Sequence, residues 1–117
     1  MAVKITRKSK VLWPACGTAS TTLQKMRGIM FKKKFAPLLF DFGADGTSRN
    51  AIHSFFCVPF DAIFLNSGKK VVDVIPKIKA WTPWIVPKKA ARYLIEAPAG
   101  DTARLGVKEG DALEWSK

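Results

Sequence analysis

Histidine is nearly absent from this 117-residue chain: His53 is the only one. Cysteine occurs twice, at the distant positions Cys16 and Cys57, and tyrosine once. One histidine and two cysteines without C-x-x-C spacing cannot complete a structural zinc site, so no metal is expected. They give no disulfide framework either, which fits two free thiols in a reducing compartment. No apolar run approaches the roughly eighteen residues that a membrane helix needs. Met1 to Lys10 carries four basic residues with no apolar stretch after them, so no secretory signal is read and the expected location is the cytoplasm. A Walker A loop, a dinucleotide fingerprint and H-E-x-x-H are all missing, and no cofactor is expected. Asp41-Phe42-Gly43 matches the kinase metal-binding triplet in letters, but the Gly-rich loop and catalytic-loop signature that give it meaning are absent.

Acidic residues are also scarce. Nine Asp and Glu face twenty Lys and Arg, for a net charge of +11. The imbalance is local: residues 1–34 hold nine basic residues and no acid, and residues 69–92 hold seven and one. Two basic blocks folded onto one face would attract a polyanion, whether nucleic acid or an anionic membrane. Lysine that merely keeps the chain soluble is the competing reading. The sequence names no partner and no oligomeric state.

What remains is a chain of short apolar runs punctuated by Gly and Pro, with 48% hydrophobic residues in a length suited to one domain over residues 1–117. Residues 1–10 read as a basic N-terminal segment free to be flexible. Val11 to Trp13 reads as a strand ended by Pro14, and Thr21 to Gly28 as a short helix with capping-box spacing. Leu38 to Phe42 and Ile52 to Val58 read as strands. Pro59-Phe60-Asp61 reads as a bend before a strand at Ala62 to Leu65. Asn66-Ser67-Gly68-Lys69 is a hairpin turn into Val71 to Ile75. Lys77 to Lys89 contains Trp81, Pro83, Trp84 and Pro87 and reads as a long aromatic, basic loop. A strand at Arg92 to Ala97 follows, then Asp101 as the cap of one helical turn closed by Gly106, then a Lys108–Asp111 turn and a last strand within Val107 to Trp115. The fold class expected is mainly β, on the border of α+β: a small β-barrel-like domain with one or two short helices.

Ile52 to Leu65 is so apolar that it must be buried, which leaves His53 and Asp61 needing partners or roles. On a strand His53 and Cys57 share a face but lie about 13 Å apart, too far for a thiol–imidazole pair. Asp61 suits a structural carboxylate accepting backbone N–H groups at the bend. The functional alternative pairs it with His53 as acid and base. Trp81, Trp84 and Phe60 offer stacking surface for a ligand beside Asp61, or a lid on the core. Lys32, Lys33, Lys34, Lys77 and Lys79 are the candidate anion or nucleic-acid contacts.

Several segments together resemble one family. Lys25-Met26-Arg27-Gly28-Ile29-Met30-Phe31-Lys32 resembles the R-x-x-G-L-M-F-R element of the family catalogued as domain of unknown function 192. Leu38 to Phe42 resembles its M-L-F-x-F strand, and Val58 to Leu65 its I-P-L-D-I-L-F-I element. Ala91 to Gly100 resembles its A-R-Y-V-L-E-L-P-A-G run, and Leu105 to Asp111 its G-I-x-x-G-D ending. The resemblance implies a compact β-rich, barrel-like fold and no established activity. Where many relatives carry Trp-Met-Lys-Asn before the Pro-x-Asp element, this chain has Ile52-His53-Ser54-Phe55-Phe56, so a site built on that Lys and Asn does not carry over. The Gly110-Asp111 turn is similar to Gly-Asp turns of several small barrel families, which makes Asp111 a structural brace.

The leading expectation is a non-catalytic cytoplasmic binding module with a basic surface and a Trp/Pro-loop groove. The alternatives are an RNA- or DNA-associated protein using the same cations and aromatics, and an enzyme using His53 and Asp61. A protein-interaction module with an apolar patch around Phe31, Phe35 or Trp115 is a third.

Overall fold

The period-two alternation of apolar residues organises this chain into one mixed sheet. The computed structural model describes residues 2–19, 37–46, 59–79 and 85–116. Its strands are β1 (Ala2–Arg7), β2 (Lys10–Ala19), β3 (Leu38–Gly46), β4 (Phe60–Leu65), β5 (Val71–Ile78), β6 (Ala91–Pro98) and β7 (Glu114–Ser116), with one short helix, α1 (Asp101–Leu105). The seven strands run in the order β5-β4-β6-β3-β2-β1-β7. The β2–β3 pair is parallel and the others are antiparallel. No described helix is long and apolar enough to cross a membrane.

The fold is mainly β as expected, and its closure is specific. The ladder is open between β5 and β7. The segment just before β7 nevertheless bonds to the start of β5: Val71 N donates to Asp111 O at 2.8 Å, Gly110 N to Val71 O at 2.9 Å and Leu113 N to Lys69 O at 3.0 Å. The two edges of a curled sheet thus meet through an irregular segment, which leaves less unpaired edge to recruit another chain.

Strand β4 is buried along its whole length, which means that both sheet faces are covered. Ile63 and Leu65 join Ile5, Leu12, Trp13, Leu39, Ile95 and Leu113 in one apolar cluster. Phe60, Ala62 and Phe64 point the other way and pack with Phe40, Ile78, Ile85 and Leu94. Each fully buried Phe, Leu or Ile contributes about 1.5–3 kcal/mol, so this strand dominates the core.

Four local expectations change. The N-terminal segment is a paired strand, β1, between β2 and β7. Strand β2 runs through Pro14, because the β1–β2 ladder jumps there from the Ile5–Trp13 pair to the Val3–Cys16 pair and asks no donor of it. Strand β4 starts at Phe60, so Asp61 lies inside a strand and not in a bend. Strand β5 continues past Pro76 to Ile78 on the sheet edge, where a missing donor is tolerated. The hairpin at Asn66 to Lys69 forms as read. The Asn66 side-chain oxygen accepts from Gly68 N at 3.0 Å and Lys70 N at 3.1 Å, and Lys69 takes the left-handed φ of 64°. The helix expected at Thr21 to Gly28 and the strand at Ile52 to Val58 lie outside the described residues.

Candidate functional site

Asp61 is fully enclosed, with four donors on its carboxylate. Lys77 N lies 2.8 Å away, Gly100 N 3.2 Å, Thr102 N 2.9 Å and Thr102 Oγ1 2.8 Å. It accepts backbone N–H groups as a structural aspartate should, but from β5 and from the start of α1 and not from its own bend. A five-residue helix cannot stand alone, and its N-cap, Gly100, offers no side-chain acceptor. Asp61 supplies that acceptor from a neighbouring strand. Asp101, expected as the cap, instead accepts Trp13 Nε1 at 3.0 Å and pairs with Arg104 at 3.2 Å. Gly106 closes the helix in the left-handed region at φ 65°.

Five further acids are engaged as well. Asp41 takes the Arg92 guanidinium at 3.0 Å and Asp45 the Ser67 hydroxyl at 2.9 Å. Asp73 accepts Lys88 N at 3.1 Å, and Glu109 pairs with Lys88 Nζ. Asp111 accepts Arg7 Nη1 at 2.9 Å and Lys108 N at 3.0 Å, the brace expected of a Gly-Asp turn. The acids hold the fold together, and the cations outnumber them at the surface.

Part of that surplus lines one cleft. The cleft, of about 630 Å³, is lined by Arg7, Lys8, Lys10, Gly106, Lys108, Gly110, Asp111 and Ala112. Arg7 is its scaffold: besides Asp111 it donates to Gly106 O and Leu105 O, both at 2.9 Å, and so ties β1 to the end of α1. Lys8, Lys10 and Lys108 are exposed and make no ion pair among the described residues. Lys8 and Ser9 form the two-residue β1–β2 turn with φ 51° and 67°, the positive values that such a turn requires and that Asn-Gly usually supplies. A lysine held in this conformation costs about 1 kcal/mol, and here it projects a charge at the cleft.

Of the residues singled out in the sequence, Phe60 is buried in the core. Lys77 and Lys79 are exposed at the far end of β5, about 20 Å along the strand from Val71 and its bonds to the cleft segment. His53, Cys57, Trp81, Trp84, Lys32, Lys33, Lys34, Phe31 and Phe35 lie outside the described residues. Cys16 is core, and burial pushes its thiol up to about 12. Trp115 is half-buried, edge-on to Tyr93 at 4.9 Å with Lys69 Nζ 4.6 Å above its ring. Among the described residues no group of three or more His, Cys, Asp or Glu could hold a metal ion.

Sequence reasoning missed two features. One is the cleft, whose Arg7–Lys10 and Lys108 walls are about a hundred residues apart and meet only because β1 pairs with β7. The other is Glu96. It is 5% exposed, and burial alone raises its carboxyl from an ordinary 4.5 to about 8. No hydrogen bond or ion pair reaches it from the described residues.

The model of the family described as domain of unknown function 192, an uncharacterized ACR, matches residues 3–115. A UPF0127 protein of Pyrococcus furiosus is 36% identical over 100 residues, 85% of this chain and 84% of that protein. A crystal structure of a protein of unknown function from Novosphingobium aromaticivorans superposes with a TM-score of 0.83 at 21% identity, over 98% of this chain and 84% of that one. A proposed transcription regulator from Sinorhizobium meliloti 1021 superposes with a TM-score of 0.82 at 25% identity, over 97% and 91%.

Proposed function

We propose a binding role for this chain, which belongs to the family catalogued as domain of unknown function 192. In this reading it is a non-catalytic cytoplasmic module that holds nucleic acid by its phosphates, in the cleft between the β1–β2 turn and the segment joining α1 to β7. The observation that carries the reading is the convergence of Lys8, Lys10 and Lys108 on one open cleft, where none of them is ion-paired among the described residues and the one acid in the lining, Asp111, is paired with Arg7. Three mobile ammonium groups around a rigid, ion-paired arginine suit a phosphate backbone, which is recognised by charge and not by base identity. The description of the Sinorhizobium meliloti relative as a proposed transcription regulator points the same way. Asp61 has no part in this reading, because its carboxylate is enclosed by internal donors.

Fluorescence anisotropy with short single- and double-stranded RNA and DNA tests it. Binding at about 50 mM salt should weaken steeply towards 200 mM, with a slope in log–log form of about −2 to −3 for three phosphate contacts. The combination of Lys8→Asn, Lys10→Ala and Lys108→Ala should remove most of that slope; asparagine keeps the left-handed turn that Lys8 occupies. Lys77→Ala with Lys79→Ala should leave the slope unchanged. No binding at low salt, or equal loss in both combinations, contradicts the assignment.

A further inference from the structure

The two described tryptophans have opposite fates. Trp13 is buried and gives its Nε1 to Asp101. Trp115, on β7, stays half-buried. Its ring meets Tyr93 edge-on, with centroids 4.9 Å and planes 74° apart, so an aromatic neighbour holds it in one orientation. Lys69 Nζ stands 4.6 Å from the centroid, over the ring. An ammonium keeps its head in water, which marks this face of the indole as the one turned to solvent. Lys69 makes no ion pair among the described residues. A single exposed cation–π contact is weak, so the ammonium is easily displaced from the ring.

This ring adjoins the basic cleft. Ala112, in the cleft lining, precedes Trp115 by three residues, about 10 Å along an extended chain. Lys70 pairs directly across from Ala112, and Leu113 N donates to Lys69 O at 3.0 Å. The end of the hairpin turn, with its two lysines, is therefore fixed beside the segment that links cleft to ring. Lys70 is exposed and keeps that link positive. Glu114, the acid next to Trp115, alternates to the other side of β7.

We propose that Trp115 is a stacking platform for one unpaired base, and that the site therefore takes single-stranded nucleic acid. The inference rests on the nucleic-acid reading of the cleft and adds to it the form of the strand. A flat base replaces the Lys69 ammonium on the indole, while the phosphates of the neighbouring nucleotides lie in the cleft. A duplex keeps its bases stacked on one another and has no free face to offer. The spacing suits a short strand, because a site of about four nucleotides is enough to span cleft and ring.

The test is fluorescence anisotropy of the full chain with pyrimidine oligomers about twelve nucleotides long, offered as single-stranded RNA, single-stranded DNA and a DNA duplex at about 50 mM salt. Trp115→Leu keeps an apolar side chain against the core and removes the stacking face. It should weaken single-strand binding about tenfold, the worth of one stacked base. Its duplex binding and the salt slope of its single-strand binding should stay as in the wild type, because no charge is lost. Trp115→Phe should restore most of the single-strand affinity. Should Trp115→Leu fail to fold, the indole N–H resonance of Trp115 in the wild-type chain decides: a single strand should shift it and the duplex should not. Salt-dependent binding that Trp115→Leu leaves intact overturns the platform and spares the cleft reading. Equal loss of single-strand and duplex binding makes Trp115 a structural residue and also overturns it. No binding of any oligomer overturns both.

Discussion

Two buried carboxyl groups sit one pairing step apart on adjacent strands and face opposite ways. Asp61 on β4 lies across from Ala97, and Glu96 on β6 lies across from Ala62. Both are removed from water, at 0% and 5% exposure. Asp61 has four donors and anchors β5 and α1 to β4. Glu96 has none among the described residues, and burial alone holds its proton up to about 8. Burial therefore does not decide what a carboxyl does in this fold; the donors within reach decide it. Where they converge, the acid is a structural fastener. Where they are missing, burial holds the proton on the acid.

Breaking the fastener should have the largest effect. Asp61→Ala leaves four donors without their acceptor inside the core and should cost about 3–5 kcal/mol, measured by urea unfolding with the slope unchanged. A loss below about 1 kcal/mol would mean that the bonds to Gly100 and Thr102 contribute little.

The second effect is a pH dependence at Glu96. Between 4.5 and about 8 the folded chain keeps a proton on Glu96 that the unfolded chain has released. Each unit of rising pH in that window should therefore lower stability by about 1.4 kcal/mol. Below the window both states are protonated and above it both are ionised, so this contribution is flat outside it. Glu96→Gln should remove the slope, and the difference between the two stability curves measures it free of every other titrating group. Parallel curves would count against a buried, unpartnered acid.

Smaller effects sharpen the same contrast. Thr102→Val deletes one donor to the buried Asp61 carboxyl and should cost about 1–3 kcal/mol. Glu96→Leu places hydrocarbon among hydrocarbon and should change stability at pH 7 by no more than about 1.5 kcal/mol in either direction. A loss as large as that of Asp61→Ala would reveal a structural partner for Glu96.

How much of this was legible in the sequence depends on the range of the interaction. The Asn66–Lys69 hairpin and the Gly106 stop follow from neighbours within four residues, and both read correctly. The Gly-Asp turn at Asp111 was legible by similarity, and the strand content by alternation. Asp61 was recognisable as a structural acid, but its donors come from residues 77, 100 and 102, which no local pattern connects to it. Pro14 misled because a proline ends a strand only where the ladder needs its donor, and a ladder irregularity is invisible in one dimension. Glu96 was missed for a more instructive reason. Arg92, Leu94 and Glu96 share a strand face, and two charges in three places match a solvent-facing pattern; only the burial of Glu96 in the folded sheet shows otherwise. The basic cleft needed the β1–β7 pairing, which joins the two ends of the chain.

The most direct test is a carbon-detected titration of the side-chain carboxyl groups in the wild-type chain and in Glu96→Gln. One glutamate resonance should titrate at about 8 and be missing from the variant. If every glutamate titrates near the ordinary 4.5, Glu96 has a partner or open access to water, and the contrast between the two buried acids is wrong.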